Sequence, residues 1–185
     1  KELKSNYLFI AFSGEEMGLL GSNYFLKNPT VSKNEINYMI NMDMVGRLNE
    51  ENKLSVSGVG SAKIFKQIVN SNNSNFNLVE FGSSSTSSFG SSDHASFYYE
   101  DIPVLSFFTG QHEDYHKPSD DYDKIKFDGI ELISDYIEDI IEGIFGVIKN
   151  IAVKDDDFDF MKPNIATSWS PYRLFNIGTV SYTHL

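Results

Sequence analysis

Short, nearly continuous apolar runs alternate along the chain with longer stretches in which apolar residues recur every three or four positions. Residues 7–12, 36–41 and 102–109 have the pattern of strands buried on both faces, and we expect them to form the centre of a sheet. Residues 54–57 and 76–81 are weaker strand candidates. The pattern therefore predicts a sheet whose strands are separated by other elements.

The segment between the first two predicted strands has helical character from about residue 15 to residue 28, and Pro29 ends it. Gly18 and Gly21 weaken this helix, because glycine is a poor helix former. Glycine inside a helix also commonly marks close packing against a neighbouring element. We therefore expect a helix here that packs tightly.

Two further segments, residues 62–69 and 127–153, show the spacing of helices with one buried face. In the longer segment we assign the regularly spaced isoleucines to the core: Ile130, Ile133, Ile137, Ile140, Ile141, Ile144 and Ile148. Strands that alternate with helices indicate an α/β fold. We predict a three-layer α/β/α sandwich with a central mixed, mostly parallel sheet.

Composition narrows the classes of function. With 185 residues, 41% of them apolar, the chain is long enough to bury a substantial core. The formal net charge of −11 argues against nucleic acid or an anionic membrane surface as a partner, because both attract positive charge. The absence of cysteine excludes disulfides, thiolate zinc sites and cysteine nucleophiles. No apolar run reaches the ~20 residues of a membrane-spanning helix.

Changes in composition near the end of the chain suggest boundaries. The acidic run at residues 155–159 is typical of a solvated segment, so we expect one domain over residues 1–153 and a linker or the start of a following segment over residues 154–179. Residues 180–185 match one translation of a transposon end used in sequencing libraries, and we interpret them as a cloning or assembly scar. Since the first residue is Lys1, we expect a fragment of a longer protein.

Two adjacent glutamates, Glu15 and Glu16, follow the first apolar run. A strand end and a glycine turn hold side chains rigidly at the carboxyl edge of a sheet, where open α/β folds bind ligands. One carboxylate there can bind a metal while the other transfers a proton. The alternative is a capping box, in which Ser13 and Glu16 satisfy free backbone N–H groups at a helix start. This segment alone does not decide between the two.

Two aspartates stand at the ends of other predicted elements. Asp43 lies between two methionines where the second apolar run ends. A lone aspartate in that position most often forms a turn, but an apolar setting makes an unpaired carboxylate costly, and a metal offsets that cost. Asp93 precedes His94 at a predicted helix start, where a helix cap is the simpler role for Asp93.

The third strong run leads into a loop, residues 110–121, that contains His112, His116 and several acids. A solvated charged loop is one explanation, but two histidines beside acids at a strand end are hard to explain by stability alone. Residues 82–92, rich in serine and glycine, are either a plain connector or the rim of an active site. Histidine with carboxylates and no sulfur is the ligand set of a hydrolytic zinc site.

Four motifs occur in order along residues 7–153. They are Ser-Gly-Glu-Glu-x-Gly-Leu-Leu-Gly-Ser, Asn-Met-Asp-Met-Val-Gly, Ser-Asp-His-x-x-Phe and Tyr-His-Lys-Pro-Ser-Asp. Together they resemble the M28 family of zinc aminopeptidases. The resemblance implies a zinc-exopeptidase-like sandwich, two Zn²⁺ ions in a complete active site, and peptide substrates whose amino-terminal residues are removed.

The resemblance also implies a role for each matching residue. Glu15 corresponds to the general base, Glu16 and His116 to ligands of one zinc, and Asp43 to a ligand of the other. Two cations about 3.5–4 Å apart polarise the scissile carbonyl and activate a water that bridges them. A carboxylate outside the metal shell then accepts the proton of that water and passes it to the leaving amine.

Three further residues take supporting roles in this resemblance. Tyr115 is a candidate hydrogen-bond donor to the developing oxyanion, and Asp93 and Asp120 correspond to residues that orient ligands. The family supplies a histidine and the aspartate that bridges the metals from a His-x-Asp segment upstream of the Glu pair, which this chain does not contain. We therefore expect the fragment alone to bind zinc poorly and to be inactive. The resemblance and the lack of cysteine favour a secreted or cell-envelope protein.

Other functions on the same fold remain open at this point. Glutaminyl cyclases share a Glu-Glu pair and an Asp, Glu, His metal set but use a single zinc to cyclise amino-terminal glutamine. Carboxypeptidase or dipeptidase activity is a third enzymatic possibility. A non-catalytic binding module is the alternative of another class, although such relatives usually lose the base or a ligand. Side-chain specificity and oligomeric state do not follow from the sequence.

Overall fold

The computed structural model describes residues 6–81, 92–151 and 172–177. The strands are β1 (Asn6–Ile10), β2 (Ile36–Asp43), β3 (Lys53–Ser57), β4 (Asn77–Phe81), β5 (Val104–Phe108) and β6 (Tyr172–Ile177). The α-helices are α1 (Leu20–Lys27), α2 (Phe65–Ser71), α3 (His94–Tyr99) and α4 (Phe127–Ile151). Each of the five strands predicted from the apolar pattern is present, with its ends shifted by at most a few residues.

The strands form one mixed sheet in the order β1-β6-β2-β5-β3-β4. The first four strands in this order run parallel to one another, whereas β3 is antiparallel to β5 and parallel to β4. The predicted mixed, mostly parallel sheet is confirmed. The register pairs Asp43, the last residue of β2, with Phe108 at the end of β5. The segments that follow β2 and β5 therefore leave the sheet at the same edge.

The position of β1 differs from the prediction. Among the described strands β1 lies at one edge of the sheet, and the Phe9 side chain is 61% exposed, so β1 is not a central strand buried on both faces. The central place beside β2 belongs to β6, which falls within residues 154–179. The sequence assigned that stretch to a linker or a following segment because a single six-residue run, isolated by polar sequence, is a weak strand signal.

Helices cover both faces of the sheet and divide the core into two layers. One layer packs α2 and α4 against the sheet, and its buried residues include Tyr38, Phe65 and Phe107. The other packs α1 and α3 against the opposite face and includes Phe12, Phe25 and Phe97, whose rings contact one another at centroid distances of 5.9–6.0 Å. The predicted three-layer α/β/α sandwich is confirmed.

The long helix α4 buries the stripe that its isoleucines predicted. Ile133, Ile137, Ile140 and Ile144 are each at most 4% exposed. Ile130 and Ile141 are partly buried, and the side chain of Ile148 lies outside the described residues. None of the helices in the described ranges combines the length and the apolarity needed to cross a bilayer.

The first helix is shorter than predicted. Residues 15–19 form a turn, and α1 begins only at Leu20. Three residues before α1 adopt left-handed backbone conformations that no α-helix contains, namely Gly14 (φ +67°), Gly18 (φ +101°) and Leu19 (φ +58°). Helical periodicity did not reveal this turn, because glutamate and leucine are good helix formers wherever they occur.

Candidate metal centre

The turn between β1 and α1 holds Glu15 and Glu16 by backbone contacts. The amide of Gly21 donates to the carbonyl oxygen of Ser13 at 2.9 Å, and a Cβ atom added to Gly21 would lie 2.6 Å from that oxygen. Only glycine therefore allows α1 to approach the turn this closely. No side-chain cap precedes Leu20, so the capping-box alternative for Ser13 and Glu16 is wrong.

Glu16 contacts a residue of the loop that follows β5. Its Oε1 lies 3.0 Å from Nε2 of His116, with both side chains about half exposed. The neighbouring ring of Tyr115 stacks on the His116 ring at a centroid distance of 3.9 Å. His116 has a left-handed backbone with φ +55°, which costs a non-glycine residue roughly 1–2 kcal/mol. Two of the predicted zinc ligands thus meet from distant parts of the chain.

Asp43 lies at the same edge of the sheet, at the carboxyl end of β2. The next residue, Met44, has φ +51°, and its carbonyl oxygen accepts a hydrogen bond from the hydroxyl of Thr109 at the end of β5. Burial raises the pKa of the Asp43 carboxyl, a hydrogen bond from Ser92 opposes this, and the charge of Glu16 raises the pKa further. Asp43 therefore belongs to the same electrostatic cluster as Glu16.

Glu15 is surrounded by other acids. Burial raises its pKa from the ordinary 4.5 to about 7, and the charges of Asp43, Asp93 and Glu16 add to the shift, while a hydrogen bond from Ser92 opposes it. Neighbouring carboxylates that raise the pKa of Glu15 are costly to keep ionised together with it. A bound cation would relieve that cost, which makes the cluster a candidate metal site.

The donor atoms fit zinc. Two ligands on one tetrahedral zinc, each with a bond of about 2.0–2.1 Å, lie roughly 3.3 Å apart. The 3.0 Å between the carboxylate oxygen of Glu16 and the imidazole nitrogen of His116 is close to this separation. In the described part of the chain, the Asp43 carboxylate does not lie within 4.8 Å of both of these donors, so it is not a third ligand of the same ion. Nitrogen and oxygen donors without thiolate are typical of catalytic zinc.

A buried polar network beneath the carboxylates was not singled out from the sequence. The amide nitrogen of Asn41 lies 3.1 Å from the hydroxyls of both Ser92 and Ser106, and 3.4 Å from Nδ1 of His94. Burial lowers the pKa of His94 to about 4, so this imidazole is neutral at pH 7. Since the Ser92 hydroxyl also lowers the pKa of Glu15, the network lies next to the carboxylate cluster.

An asparagine within the apolar run of residues 36–41 was the signal available in the sequence, because a buried amide requires partners. Asp93 is fully buried at the start of α3 but makes no side-chain cap, so the capping role considered for it is wrong. Its charge acts on Glu15 instead. Residues 82–91 of the predicted serine-rich rim lie outside the described residues.

Among the described residues, the group whose potential ligand atoms all lie within 4.8 Å of one another is a different one, made of His112, Asp114 and Asp120. Cationic side chains already occupy it. Arg47 donates to Asp114 at 2.6 Å and to Asp120 at 2.7 Å, and Lys124 donates to Asp114 at 2.6 Å. We interpret the cluster as a salt-bridge group, because these cations repel a metal ion and take up the carboxylate oxygens.

Asp120 was expected to orient a zinc ligand. Among the described residues its side chain instead contacts Arg47, at 2.7 Å, and lies 3.7 Å from the Nε2 of His112. The role of Asp120 in orienting a ligand stays a prediction. Arg47 gave no separate signal, since a single arginine after a strand is common.

Comparison with known families assigns the chain to a class of protein. The chain belongs to peptidase family M28, whose family model matches residues 1–141. It is 30% identical over 139 residues to aminopeptidase YwaD of Bacillus subtilis strain 168, an alignment that covers 70% of this chain and 30% of YwaD.

Solved structures support the same fold. An aminopeptidase from Aneurinibacillus sp. strain AM-1 matches with a TM-score of 0.50 and 26% identity, over 70% of this chain and 31% of that protein. The LapA aminopeptidase of Legionella pneumophila matches with a TM-score of 0.53 and 21% identity, over 70% of this chain and 37% of LapA. The chain therefore spans about a third of the length of these relatives.

Proposed function

We propose that this chain contributes part of the active site of a two-zinc aminopeptidase, which removes amino-terminal residues from peptides. The observation that carries the proposal is the 3.0 Å contact of Glu16 with His116, with the carboxylates of Glu15 and Asp43 in the same electrostatic cluster. Membership of family M28 and similarity to YwaD support the reaction class. Glu16 and His116 would hold one zinc and Asp43 the other.

The residues of the chain have distinct tasks in this proposal. Bound zinc supplies a Lewis acid that polarises a carbonyl and makes water more acidic. Glu15, tethered beside Glu16 but outside its contact with His116, accepts the proton of the attacking water and delivers it to the leaving amine. Tyr115, whose ring stacks on that of His116, would donate a hydrogen bond to the oxyanion.

Three ligands are too few for two zinc ions, because structural and catalytic sites use at least three protein ligands for each ion or share a bridging one. We infer that an upstream His-x-Asp segment completes the site. The 185-residue chain alone should therefore bind zinc weakly and show no hydrolysis of aminoacyl-nitroanilides. Zinc-dependent cleavage by the chain alone would contradict this inference.

The reaction is tested in a protein in which this chain is joined to its upstream segment. The variant Glu15→Gln should lose at least about a hundredfold in kcat, since general base catalysis contributes roughly 10²–10⁴-fold, while its zinc content stays that of the wild type. The matched control Glu131→Gln, on the exposed face of α4, should leave both unchanged. Loss of zinc together with activity in Glu15→Gln would point to a structural role.

The products released by the same protein separate the alternative functions. Release of the amino-terminal residue supports an aminopeptidase, whereas release of ammonia from a peptide that begins with glutamine would identify a cyclase. Release from the carboxyl end would identify a carboxypeptidase. Zinc binding without turnover of any of these substrates would leave only a binding module.

A further inference from the structure

The segment that follows Asp43 contacts both ends of the His116 loop, which here means the whole connection between β5 and α4. The hydroxyl of Thr109, at the start of that loop, donates to the carbonyl oxygen of Met44. At the far end of the loop, the amide of Lys126 donates to the carbonyl oxygen of Gly46 at 2.9 Å. Both ends of the loop are therefore bound to the short turn directly after a predicted zinc ligand.

Arg47 makes the contact to the middle of the loop. Its Nη2 donates to Asp114 at 2.6 Å and its Nη1 donates to Asp120 at 2.7 Å. These two aspartates lie two residues before and four residues after His116. The planar guanidinium thus ties together the two sides of the turn that presents the histidine.

The Arg47 contacts are well placed to resist movement. The side chains of Arg47 and Asp114 are only 16% and 7% exposed, so solvent screens this pair less than a surface pair. The other oxygen of Asp114 accepts from Lys124 at 2.6 Å and from Ser119 at 2.7 Å, which fixes the carboxylate that Arg47 contacts. A forked guanidinium holds two carboxylates in one plane, which a lysine cannot do.

The loop needs such support because its key residue is strained. His116 has φ +55°, and a non-glycine residue keeps that conformation only when its surroundings determine it. Its imidazole must also stay opposite Glu16, which belongs to a different turn at the same edge of the sheet. Small displacements of the loop would therefore separate the two donors.

We propose that Arg47 is a positioning residue that, through Asp114 and Asp120, holds His116 at the spacing from Glu16 and Asp43 that shared zinc binding requires. This inference rests on the proposed function, and it gives Asp120 a task that acts through Arg47. Arg47 joins the turn after Asp43, one predicted ligand, to the loop that carries His116, another.

The first test needs no metal. In the chain without zinc, the variant Arg47→Ala should speed hydrogen exchange at the amides of Tyr115 and Lys117, which are bonded within the loop, by about tenfold or more. Amides of the distant β3 and α2 should exchange as in the wild type. Arg47→Lys should give intermediate rates, because it keeps the charge without the fork.

The second test uses the protein joined to its upstream segment and loaded with zinc. Arg47→Ala should weaken zinc binding, measured by competition with a chelator, by about 10–100-fold, the usual cost of removing a residue that orients ligands. At saturating zinc, kcat should fall with KM little changed, and added guanidinium ion should restore part of the activity. The control Lys33→Met removes a 2.6 Å ion pair with Glu100 and should behave as the wild type.

The outcomes separate this inference from the proposed function. Wild-type loop exchange and wild-type zinc affinity in Arg47→Ala would overturn it, as would an equal loss of affinity in Lys33→Met. If Arg47→Ala loses protection from hydrogen exchange throughout the chain, the variant has unfolded. Asp120→Asn is then tested for the same loop exchange and zinc affinity, since it leaves the contact of Arg47 with Asp114 in place. A wild-type protein that binds no zinc and cleaves no peptide would refute the proposed function. It would also refute the claim that Arg47 sets the spacing of zinc ligands.

Discussion

At the scale of single residues, the carboxylates of the candidate site are arranged in a way that lowers protein stability when no ligand is bound. Glu15, Glu16, Asp43 and Asp93 lie close enough that their charges act on one another. Selection for stability alone would disperse such charges, because like charges in a partly buried site oppose folding. Their proximity is therefore a measurable property of the metal-free protein.

Glu15 should make the metal-free protein less stable as the pH rises. Between its ordinary pKa of 4.5 and its folded value of about 7, the folded chain holds a proton that the unfolded chain has released, so the free energy of unfolding falls with pH. Glu15→Gln should therefore be more stable than the wild type at pH 8 in chelator. We expect on the order of 1 kcal/mol, a discounted figure because the side chain is only half-buried.

Thermal unfolding across this pH range measures the effect. The difference between Glu15→Gln and the wild type should be small near pH 5 and reach its full size above pH 7, whereas the exposed control Glu131→Gln should show no such trend. A difference that does not depend on pH would mean that the charge cluster is not the cause.

Asp114 should show the opposite dependence. Hydrogen bonds from Lys124, Arg47 and Ser119 hold its pKa well below the ordinary 3.8, so the carboxylate stabilises the fold above that pH. This contribution is lost as the pH falls below about 4, toward the folded pKa. In denaturant unfolding, Asp114→Asn should be less stable than the wild type at pH 7, and the two should converge in acid. A gap that persists in acid would contradict the assignment.

At the scale of elements, the Glu15–Glu16 turn depends on the close approach of α1. In Gly21→Ala the new Cβ would meet the backbone of Ser13 at 2.6–2.7 Å, so the turn or the helix must move. Overpacking of this kind typically costs about 1–3 kcal/mol, and here it should also displace Glu15 and Glu16. The temperature of thermal unfolding and the zinc-dependent activity should both be lower than in the wild type.

The chain provides a matched control for this substitution. Gly146 lies within α4, and a Cβ added there meets nothing within 4 Å. Gly146→Ala should leave activity unchanged and raise stability by roughly 0.5–1 kcal/mol, because alanine is the better helix former. Equal effects of the two substitutions would show that the contact with Ser13 is unimportant.

The apolar pattern predicted elements better than it predicted their ends and neighbours. Buried runs identified β2 and β5, and helical spacing identified the stripe of α4, because side-chain burial sets those periods. The turn at residues 15–19 was missed, since backbone conformations at Gly14, Gly18 and Leu19 leave no periodic signal. β6 was missed because pairing between distant strands is a tertiary property.

At the scale of the whole molecule, the sheet brings the site together. Parallel β2 and β5 end side by side, so Asp43 and the His116 loop meet without any local signal that links them. The strand ends predicted that Glu16 and the His116 loop lie at one edge of the sheet, and the resemblance to a family predicted their shared zinc, whereas their contact depends on the loop geometry. The roles of Ser92, Asn41 and Arg47 were not predicted, because they come from partners far away in the chain.

The measurement that tests the account most directly is the location of zinc by anomalous X-ray scattering, in crystals of the protein joined to its upstream segment. We expect one ion bound by both Glu16 and His116 at about 2.0–2.2 Å, and a second ion on Asp43 about 3.5–4 Å away. Zinc on His112, Asp114 and Asp120 instead, or an Asp43 that binds no metal, would contradict it.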